Sequence, residues 1–146
     1  MNKKKICIWI ILIFWMGIIF AFSHQANSGE VTHNVIQELT PGTPSNILID
    51  GINFIIRKSA HLFEYFILTV LFVSLLKQYT KNNKKIIISS LLLCFLYACT
   101  DEIHQNFIIG RTGCFKDVLI DTLGGILFVI IYIIYKLKFN KKDSKN

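Results

Sequence analysis

The apolar residues of this chain form four long blocks, at residues 6–22, 60–76, 86–100 and 118–135. A helix needs about 20 apolar residues to cross a hydrocarbon core of about 30 Å. The two middle blocks are short, but their helices can extend into the polar flanks, back past Arg57 and forward to Gln105. The pattern therefore predicts four membrane-spanning helices, at about 6–22, 57–76, 86–105 and 117–135.

Charged residues are absent from long parts of these blocks. The first block has none on any helical face, and neither does the stretch 126–135. Helices of a soluble protein carry a polar stripe every three to four residues. The chain is therefore expected to be an all-α, polytopic membrane protein, folded as a bundle of four transmembrane helices.

Most lysines lie on one side of the predicted membrane. Twelve of them precede the first span, fill the loop after the second, or follow the fourth, and Asp143 is the one acid among them. The positive-inside rule then places the N-terminal segment 1–5 and the basic tail 136–146 in the cytoplasm. The net charge of +7 is explained by this topology, so no nucleic-acid partner is expected.

The segment between the first and second spans is the longest outside the membrane. Pro41, Gly42 and Pro44 interrupt it, because such residues break helices. A short amphipathic helix around 31–39 could lie on the membrane surface, and a plain loop is the alternative. Residues 46–56 are partly apolar and can lead into the second span as one long helix.

The first span follows three lysines, as a cleaved signal peptide would. Its apolar region is longer than the usual 7–15 residues, which favours an uncleaved anchor. The four cysteines have no metal-ligand spacing. Three of them lie in or near spans and Cys114 lies in an outer loop, so no structural disulfide is expected.

Three clusters of polar residues lie where the second and fourth spans begin and the third ends. Residues three and four apart share a helical face, so each cluster forms a stripe. The predicted topology brings all three stripes to one depth in the outer leaflet. A charged group near a helix centre costs about 2.5–3.5 kcal/mol on insertion scales, so the stripes should pair with one another around a polar pocket. They comprise Arg57, Lys58, His61, Glu64 and Tyr65; Tyr97, Asp101, Glu102, His104 and Gln105; and Arg111, Asp117 and Asp121.

Gly110-Arg111-Thr112-Gly113 is typical of a tight turn between the third and fourth helices. Gly124 and Gly125 follow Asp121 by about one turn. Small residues allow a neighbouring membrane helix to approach closely. The fourth span is therefore expected to pack tightly against another helix beside the polar pocket.

Two kinds of chemistry fit the stripes. In the first, basic residues hold a phosphate or carboxylate, which arginine binds bidentately, and His61 or His104 acts as a general acid or base. The catalytic residues would then be His61, Glu64, Asp101, His104 and Asp121. The ligand-binding residues would be Arg57, Lys58, Glu102, Gln105, Arg111 and Asp117.

In the second, carboxylates and imidazoles bind a divalent metal ion. The available ligands would be His61, Glu64, Asp101, His104, Asp117 and Asp121. Three basic residues in the same clusters oppose a cation unless an anionic substrate neutralises them, so this hypothesis is less favoured and no residue is assigned to a metal. A third interpretation is that the network only holds the helices together, although buried ion pairs are weak stabilisers compared with apolar packing.

The clusters resemble the VanZ-like family of bacterial membrane proteins. The resemblance extends from Phe22 to about Ile130. Two positions depart from the family pattern: His24 and Cys114 stand where serine is usual. The matching stretches are Phe22-Ser23-x-Gln25, Arg57-Lys58-x-Ala60-His61-x-x-Glu64-Tyr65, Asp101-Glu102-x-His104-Gln105, Gly110-Arg111 and Asp117-x-x-x-Asp121-x-x-Gly124.

The family is named for a member linked to resistance to teicoplanin, a glycopeptide that binds cell-wall precursors outside the membrane. The resemblance implies a protein of the bacterial cytoplasmic membrane that acts at the cell envelope and in teicoplanin-type tolerance. It would bind or modify an anionic lipid or a lipid-linked cell-wall precursor. The resemblance supplies no reaction, so whether the protein is an enzyme stays open.

Two other functions are compatible with the sequence. A non-enzymatic structural or accessory membrane protein would use the polar network for packing alone. A small transporter is less favoured, because transporter sites usually lie near the midplane of the membrane and these stripes do not reach the cytoplasmic side.

Overall fold

The computed structural model describes residues 2–24, 28–39, 46–108, 111 and 113–143. Within these ranges the chain forms helices and no strand. The helices are α1 (Lys3–His24), α2 (Ser28–Leu39), α3 (Asn46–Leu76), α4 (Asn83–Gln105) and α5 (Phe115–Asp143). Four stretches are long and apolar enough to cross a membrane, namely Lys3–His24, Ile47–Leu76, Asn83–Gln105 and Phe115–Lys138. The predicted all-α bundle of four spanning helices is confirmed.

The segment before the second span is helical in two places. Residues 46–56 continue into the span, so α3 is one helix of 31 residues. Of the two alternatives for residues 31–39, the helix is observed; it begins earlier, at Ser28, and packs against α3. There His33 Nε2 lies 3.5 Å from Asp50 Oδ1. The interruption expected at Pro41, Gly42 and Pro44 lies outside the described residues.

The long helix α3 is the centre of the bundle and contacts each of the other helices. Its Tyr65 and Leu68 are fully buried. The helix α1 contributes to this core, because its residues Leu12 and Ile19 are buried in the same cluster as Tyr65 and Leu68. The other buried side chains of this cluster are Phe72 and Leu75 of α3, Cys94 and Ala98 of α4, and Val118 of α5.

The expected close approach at the two glycines of α5 is observed. A Cβ atom added to Gly124 would overlap the backbone carbonyl oxygen of Leu62 on α3. One added to Gly125 would lie 2.6 Å from Thr69 Oγ1 and 2.9 Å from Cys94 Sγ. The absence of side chains at these positions therefore allows α5 to pack closely against α3 and α4.

Most of the described lysines and the polar stripes lie at opposite ends of the bundle. At one end, Trp9 Nε1 donates to Tyr79 Oη at 3.1 Å and Lys77 Nζ lies 4.5 Å from the Tyr132 ring centroid. We call this the lysine-rich end. The other, the polar end, holds the C-terminus of α1, the end of α4 and the start of α5.

Candidate ligand-binding site

A cavity of about 240 Å³ opens at the polar end, between α3, α4 and α5. We call it the polar cavity. Eight of its nine lining residues belong to the predicted site; Phe54 is the exception. Phe54 lies one helical turn before Lys58, and extending the polar face of α3 backward by four residues would have included it. The lining residues are Phe54, Arg57, Lys58, His61, Glu102, Gln105, Arg111, Asp117 and Asp121.

An ion pair between Lys58 and Asp117 connects α3 to α5 across the cavity. Asp117 lies in the first turn of α5, where the helix dipole favours a negative charge. Each side chain is about one quarter exposed. The pair therefore stands at the rim of the cavity, where water still reaches it.

Deeper in the bundle, His61 stands between two carboxylates. Its Nδ1 lies 3.8 Å from Glu64 Oε2 and 3.8 Å from Asp121 Oδ1. These distances are too long for hydrogen bonds, so the interaction is electrostatic. Glu64 lies behind His61 and does not line the cavity. Its side chain is 14% exposed.

Glu102 joins the end of α4 to the loop before α5. Its Oε2 accepts a hydrogen bond from the backbone N–H of Cys114 at 2.9 Å, and its Oε1 accepts one from Gln105 Nε2 at 3.1 Å. Both carboxylate oxygens are thus engaged within the protein. Glu102 lines the cavity, as expected of a ligand-binding residue, but its hydrogen bonds also position the loop.

Asn106 supports the same loop and was missed by the sequence analysis. Its Oδ1 accepts the Gly113 N–H at 2.9 Å. A Cβ atom at Gly113 would overlap the Glu102 carbonyl oxygen, so the chain approaches α4 closely there. Gly110 and Thr112 of the predicted turn lie outside the described residues. The sequence signal that could have identified Asn106 is its position, as a polar residue between the end of a helix and a glycine-rich turn.

The loop also carries Arg111 into the cavity wall. Burial, and after it repulsion by the Arg57 guanidinium, lower the pKa of Arg111 from its ordinary value, while Asp101 and Glu102 act in the opposite direction. Arg57 and Arg111 therefore both present guanidinium groups to the same cavity. Such a pair favours an anion that both can contact.

His104 faces away from the polar cavity. Its ring centroid lies 4.3 Å from that of Phe20 and 5.4 Å from that of His24, both on α1. With Tyr97, Thr100 and Asp101 it lines a second hollow of about 160 Å³. The expected catalytic residues thus separate: His61 and Asp121 line the polar cavity, His104 and Asp101 line the second hollow, and Glu64 lines neither.

Two hydrogen bonds fix α1 beside the site. Trp15 Nε1 donates to the Glu64 carbonyl oxygen at 3.0 Å, and Tyr97 Oη donates to the Met16 carbonyl oxygen at 2.7 Å. Ser23, near the end of α1, is fully buried. Gln25, which follows Ser23 in the motif, lies outside the described residues.

Metal-ligand geometry is met by three of the six residues considered for it. One ligand atom each of His61, Asp101 and Asp121 lies within 4.8 Å of the other two. Across the ranges that the structure describes, no other group of three or more such residues is found. Glu64, His104 and Asp117 therefore do not complete the set expected from the sequence.

A bundle of four apolar helices with a buried polar cavity at one end defines a small multi-pass membrane protein. A family model described as VanZ/LLP1 matches residues 8–136, so the chain belongs to the VanZ/LLP1 family. The resemblance seen in the sequence is thereby confirmed. No curated protein and no solved structure matches the chain.

Proposed function

We propose that this protein acts at the bacterial cell envelope and holds the anionic group of a lipid or a lipid-linked cell-wall precursor in its polar cavity. The protein would lie in the cytoplasmic membrane with this cavity facing outward. The main support for this proposal is that Arg57, Lys58 and Arg111 all line one cavity. Arg57 forms no ion pair with any residue that the structure describes, which favours a ligand as its partner.

The size of the cavity supports a headgroup as the ligand. Pockets for drug-sized molecules occupy about 300–1,000 Å³, and this cavity has about 240 Å³. A phosphate or carboxylate group fits such a volume and a whole glycopeptide does not. The protein would therefore act on the precursor or lipid and not on the antibiotic.

The surroundings of the cavity favour an amphiphilic ligand. Phe54 and Ile55 on α3 are 60% and 63% exposed, and Phe115 on α5 is 65% exposed. These apolar surfaces lie next to cavity residues at the end of spanning helices. An acyl or prenyl chain can follow them while its charged group enters the cavity.

Family membership supports a role in teicoplanin-type tolerance. Teicoplanin binds cell-wall precursors outside the membrane, so a protein that holds or modifies an anionic precursor there would lower its binding. His61 is the candidate acid or base for a modification, because it lines the cavity beside two carboxylates. A chemically altered precursor in cells that contain the protein would show that it modifies the precursor, and an unaltered precursor would show that it only binds it.

Binding can be measured on the protein in lipid nanodiscs by native mass spectrometry. A polyprenyl phosphate should bind and the uncharged polyprenol should not. Hydrogen bonds to charged groups contribute about 1.5–3 kcal/mol, so Arg57→Gln or Arg111→Gln should weaken binding roughly 10- to 100-fold. Lys116→Gln removes an exposed charge outside the cavity and is the matched control. Equal binding of the phosphate and the alcohol would contradict the proposal.

The outward orientation can be tested with the native cysteines. Cys114 is exposed in the loop at the polar end, and Cys7 lies near the start of α1, at the lysine-rich end. In single-cysteine variants, a membrane-impermeant maleimide should label Cys114 on intact cells. Labelling of Cys114 only after permeabilisation would place the cavity on the cytoplasmic side.

A structural role is the second candidate, favoured by the Lys58–Asp117 pair and by the hydrogen bonds of Glu102 to the loop. If these contacts serve packing alone, the exchange Lys58→Asp with Asp117→Lys should restore function. If the cavity binds an anion, the exchange moves the cation and should not restore it. Comparing tolerance in the single and double variants separates the two functions.

A further inference from the structure

Three buried side chains from three helices meet beside the polar cavity. They are His61 of α3, Asp101 of α4 and Asp121 of α5, and one ligand atom of each lies within 4.8 Å of the others. Asp101 is 4% exposed and Asp121 is 1% exposed. Carboxylates so deeply buried require partners, because an uncompensated charge in the interior is strongly unfavourable.

Each of the three residues has an atom without such a partner. Asp101 Oδ1, Asp121 Oδ2 and His61 Nδ1 are buried and form no hydrogen bond with any part of the chain that the structure describes. An unsatisfied buried polar group costs about 1–3 kcal/mol, and more when it is charged. Because these atoms belong to converging side chains, one cation could satisfy all of them.

The charge of the surroundings supports a divalent cation. The polar stripes contain five carboxylates and three lysine or arginine residues. Lys58 and Asp117 neutralise each other as a pair. With these eight groups ionised and the histidines counted as neutral, two negative charges are left over, which one divalent cation would balance.

We propose that His61, Asp101 and Asp121 together bind one divalent metal ion. Two carboxylates and one imidazole suit ions such as Mn²⁺ or Zn²⁺. Ligand atoms about 2.0–2.2 Å from zinc lie roughly 3–4 Å apart, so atoms that are up to 4.8 Å apart need to approach one another by at most about 1–2 Å. Three protein ligands leave coordination positions open, as in metal sites that act on a ligand.

The neighbours of Asp101 hold it in a suitable position. Gln105 Nε2 donates to Asp101 Oδ2 at 3.2 Å. Such contacts orient metal ligands and commonly influence affinity 10- to 100-fold. On α5, the close packing at Gly125 brings Asp121, one turn earlier, toward α3 and α4.

The ion would face the side of the cavity that contains the basic residues. His61 and Asp121 line the same cavity as Arg57 and Arg111. A phosphate could bridge the open side of the ion and a guanidinium group, which would remove the opposition between the two cations. This role of the ion rests on the proposed anion-binding function, whereas the ion site rests on its own three residues.

The site can be tested on the untagged, full-length protein in detergent, stripped with EDTA and desalted. MnCl₂ is titrated and free Mn²⁺ is followed by electron paramagnetic resonance; ZnCl₂ is titrated by calorimetry. We expect one ion per chain. Asp121→Asn and Asp101→Asn should each weaken binding at least tenfold. Asp50→Asn, the same change at a carboxylate 68% exposed on α3, should bind as the unaltered protein does.

Thermal unfolding separates loss of the site from loss of the fold. Added Mn²⁺ should raise the melting temperature of the unaltered protein and of Asp50→Asn, and not that of Asp101→Asn. Absence of saturable binding by the unaltered protein would overturn the proposal, as would equal binding by all variants. Should Asp121→Asn not fold, Asp101→Asn and the titration of the unaltered protein still decide.

The same preparation distinguishes the ion site from the proposed function. Binding of polyprenyl phosphate is measured with EDTA and with Mn²⁺. Metal binding without lipid binding would keep the ion site and contradict the anion-binding function. Lipid binding without any metal binding would keep that function and overturn the ion site.

Discussion

The backbone of Gly124 on α5 lies directly against the carbonyl oxygen of Leu62 on α3, with no space for a Cβ atom between them. This contact sets how closely the two helices approach. Asp121 lies about one turn before Gly124, and its Oδ1 is 3.8 Å from His61 Nδ1 on α3. A small residue at a helix interface thus places two polar groups of the cavity, His61 and Asp121, beside each other.

Replacing Gly124 with alanine should separate α3 from α5 and destabilise the bundle. Forcing extra atoms into a packed interface costs about 1–3 kcal/mol, measured as a lower melting temperature in detergent. Gly51→Ala is the matched control, because a Cβ there meets nothing within 4 Å. The control should be neutral or stabilising by up to about 1 kcal/mol. Equal melting temperatures for both variants would contradict the interpretation of this contact.

The Lys58–Asp117 pair should contribute a measurable coupling between α3 and α5. Its side chains are 24% and 27% exposed, so water and salt weaken the attraction. A double-mutant cycle with Lys58→Met and Asp117→Asn should give a coupling of about 0.5–1 kcal/mol that decreases with added salt. Additive effects of the two changes would show that the pair contributes nothing to stability.

Loss of the Glu102 side chain should release the loop before α5. Glu102→Ala removes the acceptor of the Cys114 N–H, at a cost of about 0.5–1.5 kcal/mol. Because Cys114 is exposed, the rate at which it reacts with a maleimide reports on the loop and should rise. Glu38→Ala removes an exposed carboxylate of α2 and should leave the rate unchanged. An unaltered rate in Glu102→Ala would rule out this role.

The hydroxyl of Tyr97 should stabilise the contact of α1 with α4. Tyr97→Phe removes its 2.7 Å hydrogen bond to the Met16 carbonyl oxygen and keeps the ring. The expected loss is about 0.5–1.5 kcal/mol, read from melting followed by tryptophan fluorescence. Tyr132→Phe is the control, because its ring contacts Phe128 and its hydroxyl donates to no residue that the structure describes. A similar loss in both variants would refute the assignment.

Teicoplanin tolerance should depend on the charged groups beside the cavity. In a bacterial host that gains tolerance from the protein, His61→Ala and Glu64→Gln should lower it to the level of cells without the protein. Membrane insertion, checked by Cys114 labelling, should be unaffected. His33→Ala, on α2, is the matched control. Full tolerance in well-inserted His61→Ala cells would exclude the proposed site.

The second hollow has a separate prediction. If only the polar cavity acts on the precursor, His104→Ala should keep tolerance, because His104 packs against Phe20 and His24 on α1. Helical spacing in the sequence groups His104 with the catalytic residues, and on that basis the variant should lose tolerance. We expect it to be kept; loss with normal insertion would extend the site to the second hollow.

Most of the fold was predictable because membrane insertion imposes a strong local pattern. Apolar length alone located four spans, and the long helix from Asn46 and the close contact of the glycines were also expected. The paired stripes were foreseen in part: Lys58 and Asp117 meet across the cavity. Phe54 and Asn106 were not predicted, because each lies outside the charged clusters. Their roles become visible only from the residues that they contact in the tertiary structure.

What the sequence determined by itself is which residues are apolar, where charges interrupt them and at which end of the bundle they lie. These properties follow from transfer free energies and helical spacing, which depend on local sequence. The tertiary structure alone decided how each helix is rotated about its axis. That rotation directs Glu102 and Gln105 to the cavity, turns His104 toward α1, and brings His61, Asp101 and Asp121 together. It depends on the contacts between all the helices, so no single stripe reveals it.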